Sequence, residues 1–162
     1  MAERRVGVAV DFSACGKKAL QWAVDNVVRN GDHLILVTVS PEGNYEEGEK
    51  QLWEATGSPL IPLSECSDGG HTLKRYGVKA DPETLDIVNT AAKQKEIVVV
   101  FKIYWGDPRE KICEAIDKIP LDCIIMGSRG LGKLKRVIMG SVSNFVVNNA
   151  SCPVTVVKDH ET

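Results

Sequence analysis

The sequence has no long hydrophobic run and no surplus of one charge, and each absence excludes a class of protein. The longest apolar runs, such as residues 97–101, are far too short to cross a membrane as a helix. Lys and Arg total 20 against 22 Asp and Glu, which leaves a net charge of −2. This balance excludes a generally basic nucleic-acid coat and an acidic tail protein. We therefore expect neither a membrane nor a nucleic acid as a partner.

Metal-ligand and disulfide patterns are absent as well. The chain has five cysteines and three histidines, without any C-x-x-C motif. An odd cysteine count at wide spacing argues against a disulfide framework and for a reducing compartment. No secretory signal pattern is visible at residues 1–5, so we expect a cytoplasmic protein. From their sequence neighbours, Cys123 and Cys152 are expected to be buried, and Cys15 and Cys66 to be the more exposed thiols.

What is present is an ordinary globular composition with a clear alternation of elements. The chain has 162 residues, 43% hydrophobic and 26% charged, which suits one domain with a real core. Short β-branched runs alternate with segments whose apolar residues recur at helical spacing. Five strands are predicted, over residues 6–10, 34–39, 97–103, 123–126 and 154–157.

Continuous apolar runs in these strands indicate burial on both faces, which is typical of a parallel sheet covered by helices. We predict an α/β fold, a doubly wound five-stranded parallel sheet of order 3-2-1-4-5 with helices on both faces. Ligands of such sheets bind at the carboxyl ends of the strands, beside the point where the strand order reverses.

Helix signals define the connections between the strands. The first helix is expected to end at Asn30–Gly31. Asp81–Pro82 and Asp107–Pro108 each supply an N-cap followed by proline at the first helical position. Residues 41–80 form an irregular, Glu-rich excursion that is too long for an ordinary connection. Within it, a short helix is expected over residues 50–55.

The fourth strand leads into a glycine-rich segment with a local surplus of positive charge. Residues 127–144 carry four basic residues and no acidic one. Glycines let backbone N–H groups approach a ligand closely, and Gly140–Ser141 is expected to open the next helix, whose N-terminus favours anions. A flexible turn with a solvated basic face is the alternative. The agreement of glycines, helix start and charge favours a phosphate-binding loop.

Two familiar phosphate motifs do not fit this segment. A Walker A pattern that begins at Gly127 has Leu134 where the Mg²⁺-binding hydroxyl belongs. A G-x-G-x-x-G pattern fails at Lys135. The pattern that does fit is G-x2-G-x9-G-S, formed by Gly127, Gly130, Gly140 and Ser141.

Asp11 directly follows the first strand, at the rim where a ribose or a base could be held. Alternatively, Asp11 or Ser13 simply caps the first helix, and spacing alone favours the cap. The sequence has no Ser/His/Asp arrangement, no Cys/His pair and no metal cluster, so no catalytic set is assigned.

At these residues the chain resembles the universal stress protein (UspA-like) family, most closely the small single-domain plant members of its ATP-binding branch. The resemblance covers nearly the whole chain. It includes Asp11 after the first strand, the turn at 106–108, the block at 126–132 and the ending at 152–157. It implies one universal stress protein domain over residues 1–162, with a fold like that of the adenine nucleotide α-hydrolases.

The resemblance also implies an adenine-nucleotide site that takes ATP or AMP. Mg²⁺ can accompany the phosphates, but no protein ligand for it is identified. The adenosine would meet Asp11, with Phe12 and Ser13 beside it, and the backbone of Val39 would meet the adenine edge. The ribose would be lined by Met126 and Gly127. The phosphates would be held by Gly130, Gly140, Ser141, Val142 and Ser143, and Arg129 matches a motif position without an assigned role.

Three functions are open at this stage. The first is a regulatory or sensor module of the stress response that binds ATP or AMP. The second is a slow nucleotide hydrolase, and the third is a redox-dependent chaperone or interaction protein with a vestigial pocket. Intact glycines favour the first two, and the missing base and Mg²⁺ ligand favour binding with at most weak ATP hydrolysis.

The last strand predicts a homodimer. In the predicted order Val154–Val157 lies at a sheet edge, and no charge interrupts its short β-branched run. Antiparallel pairing with the same strand of a second copy would use up both edges. The resemblance points to the same pairing. The alternative is that the 41–80 excursion covers the strand and leaves a monomer.

Overall fold

The computed structural model describes residues 3–40, 55–66, 70–79, 81–128 and 135–158, with side chains in the last range described from Gly140 onward. Its elements alternate between strands and helices along the chain. They are β1 (Arg5–Ala9), α1 (Ala14–Asn26), β2 (His33–Ser40), β3 (Ile61–Pro62), a 3₁₀ helix (Leu63–Cys66), α2 (His71–Arg75), α3 (Pro82–Gln94), β4 (Val98–Trp105), α4 (Pro108–Lys118), β5 (Cys123–Gly127), α5 (Lys135–Asn149) and β6 (Val154–Val157).

The strands form one sheet in the order β3-β4-β2-β1-β5-β6. All pairs from β4 to β6 are parallel, so the predicted order of five parallel strands is confirmed. The sheet has one strand more than predicted, since β3 pairs antiparallel with β4 and sets Ile61 opposite Phe101. A two-residue strand beside a proline has no hydrophobic run of its own, so nothing in the sequence marks it.

Both faces of the sheet are buried, as the continuous apolar runs predicted. Along β2, Leu34 and Leu36 join the core beneath α1 and α3, whereas Ile35 and Val37 join a second core beneath α4 and α5. Successive residues of a strand point to opposite faces, so β2 contributes to both layers. Its carboxyl end therefore borders both helical layers at once.

The helix starts follow the capping signals. The Ser13 hydroxyl accepts from the Gly16 N–H at 3.1 Å and caps α1. Asp81 caps α3 by accepting from the Thr84 N–H at 3.2 Å, and Asp107 caps α4 by accepting from the Arg109 N–H at 3.0 Å. The predicted N-caps at Asp81 and Asp107 are thus confirmed, each with proline in the first turn.

The predicted end of the first helix is wrong, because α1 ends at Asn26 rather than at Asn30–Gly31. Cations from remote parts of the chain bind carbonyl groups in its last turn and just beyond its end. Lys95 Nζ donates to the carbonyl oxygens of Val24 and Val28, and Arg4 Nη2 donates to that of Val27 at 2.6 Å. Hydrogen bonds from residues remote in sequence leave no local signal for a helix end, whereas Gly31, five residues after Asn26, does.

The 41–80 excursion contains more regular structure than expected, since β3, the 3₁₀ helix and α2 all lie within it. The short helix predicted over residues 50–55 falls outside the described residues except for Ala55, which lies in a turn. In the part of the chain that the structure describes, no helix is both long and apolar enough to cross a membrane.

Candidate functional site

A cavity of about 150 Å³ opens at the carboxyl ends of β1, β2 and β5, on the α4/α5 face of the sheet. In the sheet, β1 has β2 on one side and β5 on the other. The chain adds strands first on the β2 side and then on the β5 side, so the strand order reverses at the end of β1. The lining residues are Ala9, Val10, Asp11, Gly16, Val37, Val39, Pro108, Ile112, Met126, Gly127 and Val142.

The wall of this cavity is apolar. Four of its side chains, those of Val37, Ile112, Met126 and Val142, are buried in or beside the second core. One carboxylate, that of Asp11, is among the lining groups. Small-molecule sites commonly combine apolar walls with a few placed polar groups, and this combination suits a flat, largely apolar ring with a polar edge.

The backbone of Val39 supplies further polar groups. Pairing between β1 and β2 ends where Ala9 lies opposite Val37, with the Val10 N–H donating to the Val37 carbonyl at 2.9 Å. Alternate residues of a strand direct their N–H and C=O to the same side. The N–H and C=O of Val39 therefore face the side of β1, just beyond the last β1–β2 hydrogen bond. They offer one donor and one acceptor at the cavity rim.

Asp11 and Ser13 divide the roles that the sequence left open between them. Ser13 is the helix cap, and Asp11 Oδ1 accepts from the Ser13 hydroxyl at 2.6 Å and from the Ser13 N–H at 3.0 Å. Asp11 thus orients the cap while lining the cavity. Between them Phe12 has φ of +63°, a left-handed conformation that is uncommon for a non-glycine residue. This bend turns the chain from β1 into α1 at the cavity rim.

Gly127 has a packing role that its motif does not reveal. A Cβ atom at this position would lie 2.9 Å from Cys15 Sγ and 3.1 Å from the Cys15 carbonyl oxygen. The glycine therefore lets β5 approach the first turn of α1, besides lining the cavity. Cys15 and Cys66 are both buried and the other three cysteines are half-buried, so the expected order of thiol exposure is wrong. Cys15 is buried on the inner face of α1, and Cys66, the last residue of the 3₁₀ helix, packs in the core.

The expectation that Gly140–Ser141 opens a helix is wrong, because α5 begins at Lys135. Residues 135–139 include good helix formers, which extend the helix ahead of the glycine. Only the first four N–H groups of a helix lack partners within it. Gly140 and Ser141 come after these four residues, so their N–H groups are used in hydrogen bonds inside the helix. Val142 faces the cavity, Ser141 is exposed, and the Ser143 hydroxyl is near the Gly140 carbonyl at 3.4 Å.

Of the six residues assigned to the base and ribose, four line the cavity, namely Asp11, Val39, Met126 and Gly127, and Phe12 and Ser13 are not among its lining residues. Val142, which was assigned to the phosphates, lines this cavity instead, and Arg129 and Gly130 lie outside the described residues. Sequence reasoning missed the α4 wall formed by Pro108 and Ile112. Its signal was available, since Pro108 opens a helix directly after a strand and so lies at the same edge of the sheet.

An ion pair lies at the rim beside Pro108. Arg109 donates to the Asp107 carboxylate through Nε at 3.2 Å and through Nη2 at 2.9 Å. The hydrogen bonds from Arg109 lower the pKa of Asp107 below its usual 3.8. The guanidinium also lies 6.0 Å from the centre of the Phe145 ring, which connects α4 to α5.

A second cleft, of about 630 Å³, lies on the α1/α3 face and shares Asp11 and Val39 with the cavity. Lys17 of α1 bridges to Asp81 at 3.6 Å and to Glu83 at 3.1 Å, which ties α1 to α3 beside it. The other lining residues of the cleft are Phe12, Thr38, Ser40, Gly77, Val78, Lys79, Asp81 and Pro82. Phe12 therefore faces this cleft, and the smaller cavity lies on the opposite face of the sheet.

Three thiols show how burial affects their chemistry. Burial raises the pKa of Cys152 to about 11, and it raises the pKa of Cys113 and Cys123 as well. The thiolate is the reactive form, so a raised pKa lowers reactivity near neutral pH. Within the described ranges, no group of three or more His, Cys, Asp or Glu could hold a metal ion.

A family model described as the universal stress protein family matches residues 3–158. The chain is 35% identical over 165 residues to universal stress protein PHOS32 of Arabidopsis thaliana, covering 97% of this chain and 65% of that one. It is 36% identical to PHOS34 of the same plant, of which it covers 62%. The chain therefore spans less than two thirds of these two relatives. The stress response protein NhaX of Bacillus subtilis is 43% identical, with 95% of this chain and 97% of that one covered.

Solved structures show the same fold. UspA from Lactobacillus plantarum gives a TM-score of 0.63 at 22% identity, with 97% of this chain and 99% of that one covered. A universal stress protein family protein from Arabidopsis thaliana with AMP bound gives 0.59 at 22% identity, with 97% and 92% covered. One from Archaeoglobus fulgidus in complex with dAMP gives 0.56 at 18% identity, with 98% and 100% covered. The family model spans nearly the whole chain, and NhaX is 43% identical over 97% of its own length, so the chain belongs to the universal stress protein family.

Proposed function

We propose that this protein binds an adenine nucleotide, ATP or AMP, in the smaller cavity and acts as a regulatory or sensor module of a stress response. One observation carries the proposal. An apolar cavity ends in the Asp11 carboxylate and in the N–H and C=O of Val39, which match a purine ring with a donor-and-acceptor edge. Structural neighbours with AMP and dAMP bound support the same ligand class.

The proposal assigns each part of the nucleotide to a group of lining residues. The base would lie against Ile112 and Val142, with its polar edge at Val39. The ribose would lie between Asp11 and Gly127, where β1 and β5 end side by side. The phosphates would then extend past the end of β5, on the side of Ser141.

We propose binding rather than rapid turnover. The carboxylate that faces the cavity is already engaged, since Asp11 accepts two hydrogen bonds from Ser13. A group held this way orients the helix cap and is poorly placed to take a proton from water. Any ATP hydrolysis should be far below the ~10 s⁻¹ median of dedicated enzymes.

The direct test is nucleotide binding by the purified protein. We expect mass spectrometry to find an adenine nucleotide in the isolated protein, and titration calorimetry to show binding of AMP or ATP. Asp11→Asn should weaken that binding about tenfold or more, because it removes the charge at the ribose while keeping an oxygen that can accept from Ser13.

Asp86→Asn is the matched control, since Asp86 is exposed on α3 and lines neither cavity. It should leave affinity unchanged. Absence of binding to every adenine nucleotide at millimolar concentration would refute the proposal.

We also propose a homodimer through β6. Among the described residues β6 ends the sheet and pairs on one side only, with β5. Its residues are half-buried or exposed on both faces. An unblocked edge of this kind favours pairing with a second strand.

A further inference from the structure

We propose that the second cleft continues the nucleotide site and accepts an apolar substituent on the exocyclic nitrogen of adenine, so that N6-substituted adenine nucleotides are ligands of this protein. The proposal rests on the proposed function, since it needs the base in the smaller cavity. It concerns the choice among adenine nucleotides.

The two spaces meet at the end of β1. Asp11 and Val39 line both of them, although the spaces lie on opposite faces of the sheet. The β1–β2 pairing ends at Ala9, whereas β2 continues to Ser40. Beyond this point β1 no longer lies beside β2. The space next to Val39 is therefore not closed by a neighbouring strand, and it connects the cavity on one face of the sheet with the cleft on the other.

The base edge that suits Val39 is the edge that carries the exocyclic amine. A C=O and an N–H side by side complement the N6 amine and the N1 acceptor of adenine. A nitrogen with one substituent keeps one hydrogen for the Val39 carbonyl. With that hydrogen on the N1 side, the substituent lies on the N7 side of the exocyclic nitrogen, and we expect it to cross the boundary between the cavity and the cleft at Asp11 and Val39.

The lining of the cleft selects the chemistry of that substituent. Phe12, Val39, Val78 and Pro82 supply apolar surface. Three of its polar side chains are already engaged: the Ser40 hydroxyl donates to the Gly77 carbonyl at 3.3 Å, Asp81 accepts from Thr84, and Asp11 accepts from Ser13. The other polar side chains of the lining are those of Thr38, whose hydroxyl is buried, and Lys79. A side chain that already has a hydrogen-bond partner adds little to the binding free energy of a polar ligand. Apolar surface favours binding of any apolar group that removes it from water.

Size points the same way. The smaller cavity, at about 150 Å³, leaves little room for a substituent on the base, whereas the cleft at about 630 Å³ has space for a benzyl or prenyl group. A substituent on the base therefore has room on the α1/α3 side of the sheet.

Titration calorimetry with AMP, N6-benzyl-AMP and N6,N6-dimethyl-AMP tests the proposal on the full chain. We expect N6-benzyl-AMP to compete with AMP and to bind at least as tightly. N6,N6-dimethyl-AMP has no N6 hydrogen for Val39 and should bind tenfold or more weakly. If AMP binds and N6-benzyl-AMP is excluded, the inference is wrong and the proposed function stands. If none binds, the proposed function fails and the inference falls with it.

Two variants locate the substituent. Val78→Phe fills the cleft and should weaken N6-benzyl-AMP at least tenfold while AMP keeps its affinity. Val78 is buried, so Pro82→Ala serves as a variant that disturbs the fold less, with an expected loss of about threefold for N6-benzyl-AMP alone. Leu60→Ala removes an exposed apolar side chain outside both spaces and is the control. Equal effects of the cleft variants on both nucleotides would contradict the placement.

Discussion

Glycines of the same motif have different structural duties, which a pair of alanine substitutions separates. Gly127→Ala places a Cβ 3.1 Å from the Cys15 carbonyl, which cannot rotate away as the sulfur can. We expect it to destabilise the protein by about 1–3 kcal/mol. Gly140→Ala meets nothing within 4 Å inside α5 and should stabilise by up to about 1 kcal/mol. Urea unfolding measures both, and a stability loss at Gly140 larger than at Gly127 would contradict the structure.

Two buried threonines make a similar comparison for hydroxyl groups. The Thr38 hydroxyl has no hydrogen-bond partner in the described part of the chain, whereas the Thr84 hydroxyl donates to Asp81 Oδ2 at 2.6 Å. Thr38→Val keeps the shape and removes an unpaired polar group, so it should stabilise by about 1 kcal/mol. Thr84→Val should destabilise by about 1–2 kcal/mol. Thermal unfolding of the two variants decides, and a loss of stability at Thr38 would show that its hydroxyl has a partner.

The turn before β2 ties three elements together through one carboxylate. Asp32 accepts from Arg4, which precedes β1, and from the Arg29 N–H after α1. Burial alone would raise the pKa of Asp32, but the bonds from Arg4 and Arg29 outweigh it and lower that pKa below 3.8. The ionised form therefore stabilises the fold above the unfolded-state pKa, and this stability is lost as the pH falls through the lower folded-state pKa.

Asp32→Asn should consequently destabilise by about 2 kcal/mol at pH 7 and flatten the fall in stability below pH ~4. Urea unfolding between pH 7 and pH 3 measures this, with Asp86→Asn as a control for charge alone. A variant with the same acid slope as the unmodified protein would show that Asp32 is not responsible.

Elements whose stability comes from their own residues were predictable from sequence. The five parallel strands have continuous apolar runs, and Asp81 and Asp107 each precede a proline that starts a helix. The end of α1 depends on Lys95 and Arg4, which are remote in sequence, and β3 depends on the β4 edge it joins. Contacts of this kind leave no periodic signal, so these elements could not be placed.

The candidate site followed the same division. Asp11 and Gly127 could be expected at one edge of the sheet because each lies where a strand ends, whereas Val39 was expected only from the family resemblance; all three line the cavity. The split of duties between Asp11 and Ser13 depends on side-chain geometry, which spacing alone does not determine. The early start of α5 depends on residues 135–139, whose helix-forming tendency outweighed the glycine that follows.

At the scale of the whole molecule, the β6 edge sets the expected assembly, and its register identifies the residue to change. The Ile124 N–H donates to the Pro153 carbonyl and the Ser128 N–H to the Val157 carbonyl, both at 3.0 Å. By alternation the polar backbone groups of Thr155 face β5, and those of Val156 face outward. Val156→Pro should therefore release monomers, because it removes an outward donor, whereas Thr155→Pro would break the inner ladder.

Light scattering at micromolar concentration tests the dimer. The unmodified protein and Val156→Ala should give twice the 17.7 kDa chain mass, and Val156→Pro should give the single mass. If the unmodified protein has the mass of one chain, the proposed dimer is wrong. If the Val156→Pro variant is still a dimer, the interface does not lie at β6.

The position of β2 has a consequence for hydrogen exchange. It lies between β4 and β1, feeds alternate side chains into both cores and ends at both spaces of the site. Its amides should exchange with solvent only when the whole molecule opens, since neither layer can separate while the other holds the strand. A ligand that forms hydrogen bonds with Val39 stabilises β2 directly. Ligand binding should therefore slow amide hydrogen exchange on both faces of the sheet together, to an extent that rises with ligand concentration as mass action requires.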